Sequence, residues 1–289
     1  MNFAKKTTEG QAFVANTVNN TFPGALKSET LSNAVERILA VHGYSKEKSI
    51  LATALCCDEV NRELEDGLRE KFGSNFSMGG LAGFPFSGVT SFGAMAHHIP
   101  TDGSCIVVYG PHVGVDMTGV VGKVNRRGRD GSGACCGSAC AAHAYVQQVR
   151  SGERSEAAPS YDNIDAQQMW IQKTLLDYGD RLEKADDGAV ELPHALFDCQ
   201  DNFMKRIVEK ACGEVAGEGK IALLGGIQIN TPDGVAEYFL PKKFQLLNNK
   251  GELVSDLLAD LQGHVHAQNS DEVLDKVDNV CEIISNVCA

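Results

Sequence analysis

A chain of 289 residues, 43% of them hydrophobic and 22% charged, has ample material for a packed core, in one large domain or two small ones. Its formal net charge of -12 and pI near 5.1 give a surface that repels polyanions, which argues against nucleic acid and anionic membranes as partners. The longest apolar runs, such as 106–109 and 221–224, are far too short to span a bilayer, so no membrane insertion is expected. The opening MNFAKKTTEGQ has lysines but no apolar segment behind them, so it does not read as a secretory signal.

In chain order, residues 28–42 place Leu31, Ala34, Ile38 and Val41 at helical spacing, with Gly43 as a stop. SILATALCC (49–57) is almost wholly apolar, as expected of a strand buried on both faces. DEVNRELEDGLREKFG follows as a helix capped by Asp58 and ended by Gly73. Residues 73–93, rich in glycine and phenylalanine, read as a long structured loop, a class that usually carries function. SCIVVYGPHVGV (104–115) is a second buried strand, and GVDMTGVVGKVNRRG a hairpin turning at Met117-Thr118-Gly119. A small-residue helix starts at Cys136, and two longer helices are expected near 163–184 and 193–215. KIALLGGIQINT and VAEYFLPKKFQL read as strands joined by a turn at 231–234. Helices over 251–262 and 271–286 close the chain. Strand, cap and helix in this order indicate an α/β fold. No linker divides it, so 1–289 reads as one domain, with 1–27 as a peripheral N-terminal segment and the polar stretch 151–162 as a surface loop.

Ten cysteines in a chain this long are not a disulfide framework, and a reducing compartment is expected. Cys105, Cys199, Cys212 and Cys281 lie in apolar segments and read as small buried hydrophobes. The clustered ones, Cys56, Cys57, Cys135, Cys136 and Cys140, carry the information. Cys56 ends one predicted strand, His112 ends another behind the rigid Pro111, and Cys136 opens a helix at the same sheet edge. One imidazole and two thiolates are a known donor set for catalytic zinc, with the fourth tetrahedral position left to water. Cys57 and Cys135 are the neighbours that a one-residue shift would select. Asp58 and Arg62 stand four apart, acid before base, which favours a side-chain pair on a helix. In that pair Arg62 would hold Asp58 ionised beside the metal, a common second layer at such sites. A thiol-redox protein using Cys56-Cys57 or Cys135-Cys136 is the reading from another class, and strain in adjacent-cysteine disulfides ranks it low.

CCDEVNR (56–62), GGLAGFPFSGVTSFGAMAHHIP (79–100), GPHVGV (110–115) and the Ala-Cys-Cys-Gly of 134–137 resemble the limiting-CO2-inducible protein B family, called theta-type carbonic anhydrases where active. AEYFLPKKFQLL near the C-terminus is a weaker match. The resemblance implies a central mixed, largely parallel β-sheet flanked by helices, similar to beta-type carbonic anhydrases. It also implies Zn2+ on Cys56, His112 and Cys136, an active-site dyad of Asp58 and Arg62, and reversible hydration of CO2 to bicarbonate by zinc-bound hydroxide in inorganic-carbon concentration. The alternative is a catalytically silent, zinc-binding member acting as a scaffold or partner subunit. Gly83, Phe84 and Phe86 are candidates for a narrow substrate pocket, and His98, or its neighbour His97, for a proton shuttle. A homodimer is expected, or a hetero-oligomer with a paralogue. The compartment follows the same resemblance: chloroplast for an algal member without its transit peptide, otherwise cytoplasm.

Overall fold

The computed structural model describes residues 3–155 and 163–263. Helix α1 (Phe3–Thr21) leads through β1 (Leu26–Lys27) to α2 (Ser28–Ala40) and the buried strand β2 (Ser49–Ala54). A 3-10 turn, Glu59–Asn61, then enters α3 (Arg62–Phe72), β3 (Asn75–Ser77) and α4 (Gly88–Ala96). Strand β4 (Ser104–Tyr109) breaks at Gly110-Pro111 and resumes as β5 (His112–Gly114). A small antiparallel ribbon, β6 (Lys123–Val124) and β7 (Gly133–Ala134), precedes α5 (Gly137–Arg150). Helices α6 (Ala166–Leu176), α7 (Gly179–Lys184) and α8 (Gly188–Ala211) follow, then the long strands β8 (Lys220–Asn230) and β9 (Tyr238–Asn248), and β10 (Leu253–Asp256).

The strands form one sheet in the order β1-β9-β8-β4-β2-β3, with β10 on β9 and β5 on β8. The pairs β3–β2, β2–β4, β4–β8 and β5–β8 are parallel, and β9 turns back antiparallel to β8. The mixed, largely parallel sheet expected above is therefore present. Alternation divides each strand between two cores, as the pleat requires. Cys105, Val107 and Tyr109 face α1, α4 and α8, whereas Ile106 and Val108 face α2 and α3. A third apolar cluster, built from α5 to α8 and containing Cys56, Phe84 and Cys136, caps the carboxyl edge of the sheet. That edge is where β2 and β4 deliver Cys56 and His112.

Several expectations change. The 73–93 stretch is not one loop: Asn75–Ser77 pairs with β2, a 3-10 turn covers Leu81–Gly83, and α4 begins at Gly88. Its many glycines hid this, because they serve close backbone approach rather than loop freedom. A Cβ on Gly79 would lie 2.0 Å from the Leu55 carbonyl oxygen. The helix expected to start after Asp58 instead starts at Arg62, because Asp58 keeps an extended backbone (φ -58, ψ 140) and caps the 3-10 turn through Val60 N. Of the helix expected over 251–262, residues 253–256 are a strand on β9 and helix resumes only at 258. The helix expected over 271–286 lies outside the described residues. The segment 1–27, expected to be peripheral, supplies α1, and Val14, Val18 and Phe22 are fully buried in the core.

Candidate metal centre

Cys56, His112 and Cys136 meet, all buried, with one ligand atom of each within 4.8 Å of the others. Each arrives by a different local device. Cys56 lies two residues beyond β2, on a segment pinned by the Cys57 N to Gly80 O hydrogen bond at 3.4 Å. His112 follows Gly110, where the chain crosses so close to β8 that a Cβ would fall 1.7 Å from the Gly226 oxygen. Gly114 does the same for the next layer: a Cβ there would meet Lys123 O at 2.3 Å and Cys135 Cβ at 3.0 Å. Cys136 is the N-terminal boundary residue of α5. The neighbours separate from the cluster. Cys57 is exposed, and the Cys135 sulfur sits 3.4 Å from His112 Nδ1, on the side of the ring away from Nε2.

The ring of His112 has its orientation fixed from behind. Asn230, the last residue of β8, donates from Nδ2 to Val60 O at 2.9 Å and to Glu237 Oε1 at 3.2 Å. Its Oδ1 is thereby left for His112 Nδ1, at 2.8 Å. Nδ1 carries the proton in this arrangement, and Nε2 is the basic nitrogen. Nε2 is buried and has no hydrogen-bond partner. A buried imidazole nitrogen without a partner, on a ring clustered with two thiols, fits a metal ion.

The electrostatics agree. The Cys56 thiol is lowered to about 4, first by the hydrogen bond from Cys136 and then by His112, while Cys136 is raised by the same shared proton. Burial pushes the His112 imidazole down, but the thiols of Cys135, Cys136 and Cys56 more than reverse this, and its pKa ends well above the ordinary value. The Cys56 thiolate and the His112 imidazolium sustain each other, so the cluster shares protons at the place where a metal ion would replace them.

Asp58 does not pair with Arg62. Its carboxylate is gripped by Arg126, with Nη1 on Oδ1 at 2.8 Å and Nη2 on Oδ2 at 2.9 Å. Burial raises the Asp58 carboxyl, yet this fork holds it well below the usual carboxylate range. Arg126 also bonds Glu59 and donates to Cys135 O at 2.8 Å, so it ties the Asp58 segment to the strand leading into Cys136. Arg62 instead donates to the carbonyls of Cys56 at 2.7 Å and Asp58 at 3.2 Å and pairs with the buried Glu65. The reason is geometric: the i,i+4 rule needs both residues in one helix, and Asp58 precedes it.

A cavity of about 290 Å3 opens on the cluster, lined by His112, Cys136, Ala139 and His143 on one side and by Leu192 and Leu196 of α8 on the other. Gly83, Phe84 and Phe86 do not line it. Phe84 is fully buried, and its ring packs on Phe86 and Trp170 at 5.5 Å each. Gly83 (φ +83) lets its backbone reach Gly110 O, which a Cβ would meet at 2.2 Å. Nor are His97 and His98 brought to the cluster. Helix α4 carries them back toward the amino ends of the strands, where His98 packs edge-on against Phe76 and His97 lies 3.7 Å from Glu214.

Sequence reasoning missed Arg126, Asn230 and His143. Arg126 sits in a polar ribbon 68 residues from its partner, where no local rule applies. Asn230 left a trace: Gln228 and Asn230 are polar residues alternating at the end of an otherwise apolar buried strand.

A family model described as limiting CO2-inducible proteins B/C beta carbonic anhydrases matches residues 25–248. Among solved structures, the chain is similar to PtLCIB4, a homolog of the limiting CO2-inducible protein LCIB, with 43% identity and a TM-score of 0.80, covering 84% of this chain and 100% of that one. A single-substitution variant of that homolog gives 41% identity and a TM-score of 0.79, covering 85% and 98%. LCIB itself, at 22% identity and a TM-score of 0.63 over 82% of this chain and 96% of that one, shares the fold. No curated protein matches the chain. With its sheet, its thiol–imidazole cluster and a match over most of its length, the chain belongs to the limiting CO2-inducible protein B/C family of beta carbonic anhydrases.

Proposed function

We propose that the protein is a zinc-dependent carbonic anhydrase that hydrates CO2 reversibly to bicarbonate. The observation that carries this reading is the buried, unpartnered Nε2 of His112 on a ring clustered with the thiols of Cys56 and Cys136. Two thiolates and one imidazole are a donor set suited to zinc, and no fourth protein ligand joins this group among the described residues. A zinc ion bound there supplies Lewis acidity that makes hydroxide available from water near neutral pH.

The chain's own residues do the rest. Asn230 fixes the His112 tautomer, so that Nε2 is presented to the ion. Arg126 keeps Asp58 ionised and aimed, as a hydrogen-bond acceptor for the attacking water. Arg62 anchors the Cys56 carbonyl and so holds the sulfur in place. Leu192, Leu196 and Ala139 give the cavity an apolar wall suited to CO2 and poorly suited to its charged product, which favours release. Two thiolates offset the charge of zinc more than histidines do, so activity should rise toward alkaline pH.

Zinc analysis with stopped-flow CO2 hydration tests the proposal. The purified chain should carry zinc near one equivalent and hydrate CO2, and His112→Ala should lose both. Zinc without hydration would identify a silent member of the family. Full zinc occupancy in His112→Ala would remove that residue from the ligand set. The homodimer implied by the resemblance belongs to the same proposal and is read by light scattering.

A further inference from the structure

His143 lies on the same face of α5 as Cys136 and Cys140, two helical turns beyond Cys136. Side chains on a helix lean toward its N-terminus, so this ring leans back toward the cluster. It lines the 290 Å3 cavity at the cluster, and it also lines a neighbouring cavity of about 420 Å3 between α5 and α7. That second space is bordered by Arg150 and Glu183, whose side chains are exposed enough to reach solvent. No hydrogen bond or ion pair engages His143 among the described residues. The ring lies close to Gly188, where a Cβ would approach Cε1 to 3.2 Å.

We propose that His143 is the proton-transfer residue of this centre. The inference rests on the hydration reading above. CO2 and water give bicarbonate and one proton, and a site buried under α5 and α8 must export that proton on every turnover. The first cavity has room for several waters at about 30 Å3 each. Through them the proton passes to an imidazole nitrogen of His143, forming the imidazolium, which returns it to solvent or buffer through the second cavity. No oxidant or further reactant is needed. The titratable and charged groups lining the two cavities with the ring are Cys135, Cys136, Cys140 and His112 on the cluster side and Arg150 and Glu183 on the other. Burial raises the Cys140 thiol, so it keeps its proton near neutrality and is no rival acceptor. Burial lowers His143, which leaves its ring neutral and ready to accept. Residues on the α8 wall, Ala189, Leu192, Pro193 and Leu196, do not titrate.

The test uses the zinc-loaded full chain and His143→Ala, with stopped-flow hydration in dilute and concentrated buffer. The variant should keep its zinc and its kcat/KM, while kcat in dilute buffer falls about a hundredfold, the low end for a positioned proton-transfer group. Added imidazole should restore kcat. A readout independent of turnover is the NMR titration of the His143 ring in the zinc-loaded protein, which should show one titration below the ordinary histidine value. An active wild type whose variant matches it in dilute buffer overturns the relay alone. So does a variant that loses zinc along with kcat, or a ring that does not titrate. A zinc-loaded wild type without hydration overturns the function and takes the relay with it.

Discussion

Asn230 is the residue whose removal separates orientation of the centre from packing of the fold. It is fully buried at the end of β8 and holds four partners: the His112 ring, the Cys135 thiol, the Val60 carbonyl and Glu237. Asn230→Leu keeps the volume but removes all four bonds. Each buried group left unpaired costs about 1–3 kcal/mol, and neighbours in one network relax together, so a net loss of about 2–4 kcal/mol is expected. The His112 ring then loses the acceptor that fixes its tautomer, and zinc affinity should fall about 10–100-fold. Competition against a chromophoric chelator reads the affinity, and urea unfolding reads the stability. Asn230→Asp retains an acceptor for Nδ1 but loses the donors to Val60 and Glu237. It should therefore lower stability while keeping most of the zinc affinity. Wild-type zinc affinity in Asn230→Leu, with stability lost as calculated, would refute the orienting role and leave Asn230 as a brace of the sheet edge.

Arg126→Ala should retain zinc and lose most CO2 hydration, because Asp58 is left without the fork that holds it ionised and aimed; hydration at the wild-type rate would show that the pair serves only the fold. Gly110→Ala should destabilise by about 1–3 kcal/mol or more and release zinc, since its Cβ would overlap the Gly226 oxygen and displace Pro111 and His112; thermal melting with zinc analysis checks both. Glu237 is raised to about 7, first by burial, so the folded state holds its proton longer than the unfolded chain does. Its contribution is therefore present at acid pH and lost as pH rises from about 4.3 through about 7, by roughly 4 kcal/mol at most. Glu237→Gln should flatten the fall in stability across that window, and identical pH profiles for the two proteins in urea unfolding would refute the assignment.

The parts of the molecule legible in its sequence are those governed by short-range rules. The runs 49–57 and 104–115 announced buried strands by composition, with Pro111 at the exit before His112; in the structure they end at Ala54 and Tyr109, and a break at Gly110-Pro111 precedes β5. Cys56, His112 and Cys136 were nameable because each sits at an element boundary on one edge of the sheet. What failed depended on tertiary geometry. Arg62 looked like the partner of Asp58 by spacing, but an extended φ,ψ pair at Asp58 turned its carboxylate toward a ribbon whose approach no periodicity encodes. Phe84 and Phe86 looked like pocket walls because a stretch rich in glycine and phenylalanine read as a long structured loop of the kind that carries function. Instead Trp170 and Phe203, distant in sequence, close over them. His98 stood out as part of an adjacent pair, whereas His143 lay unnoticed in a helix of small residues.

The three cluster residues span a segment of roughly 80 residues, from Cys56 to Cys136, and an ion bound to all of them would staple its ends together. Closing a flexible loop of that length costs an unfolded chain about 4 kcal/mol. Zinc held there would thus act as a removable cross-link, and opening of β2, β4 and the start of α5 would require either its release or their joint unravelling. Backbone amides in those three elements should exchange with deuterium as one slow unit when zinc is present, and at separate, faster rates once it is stripped.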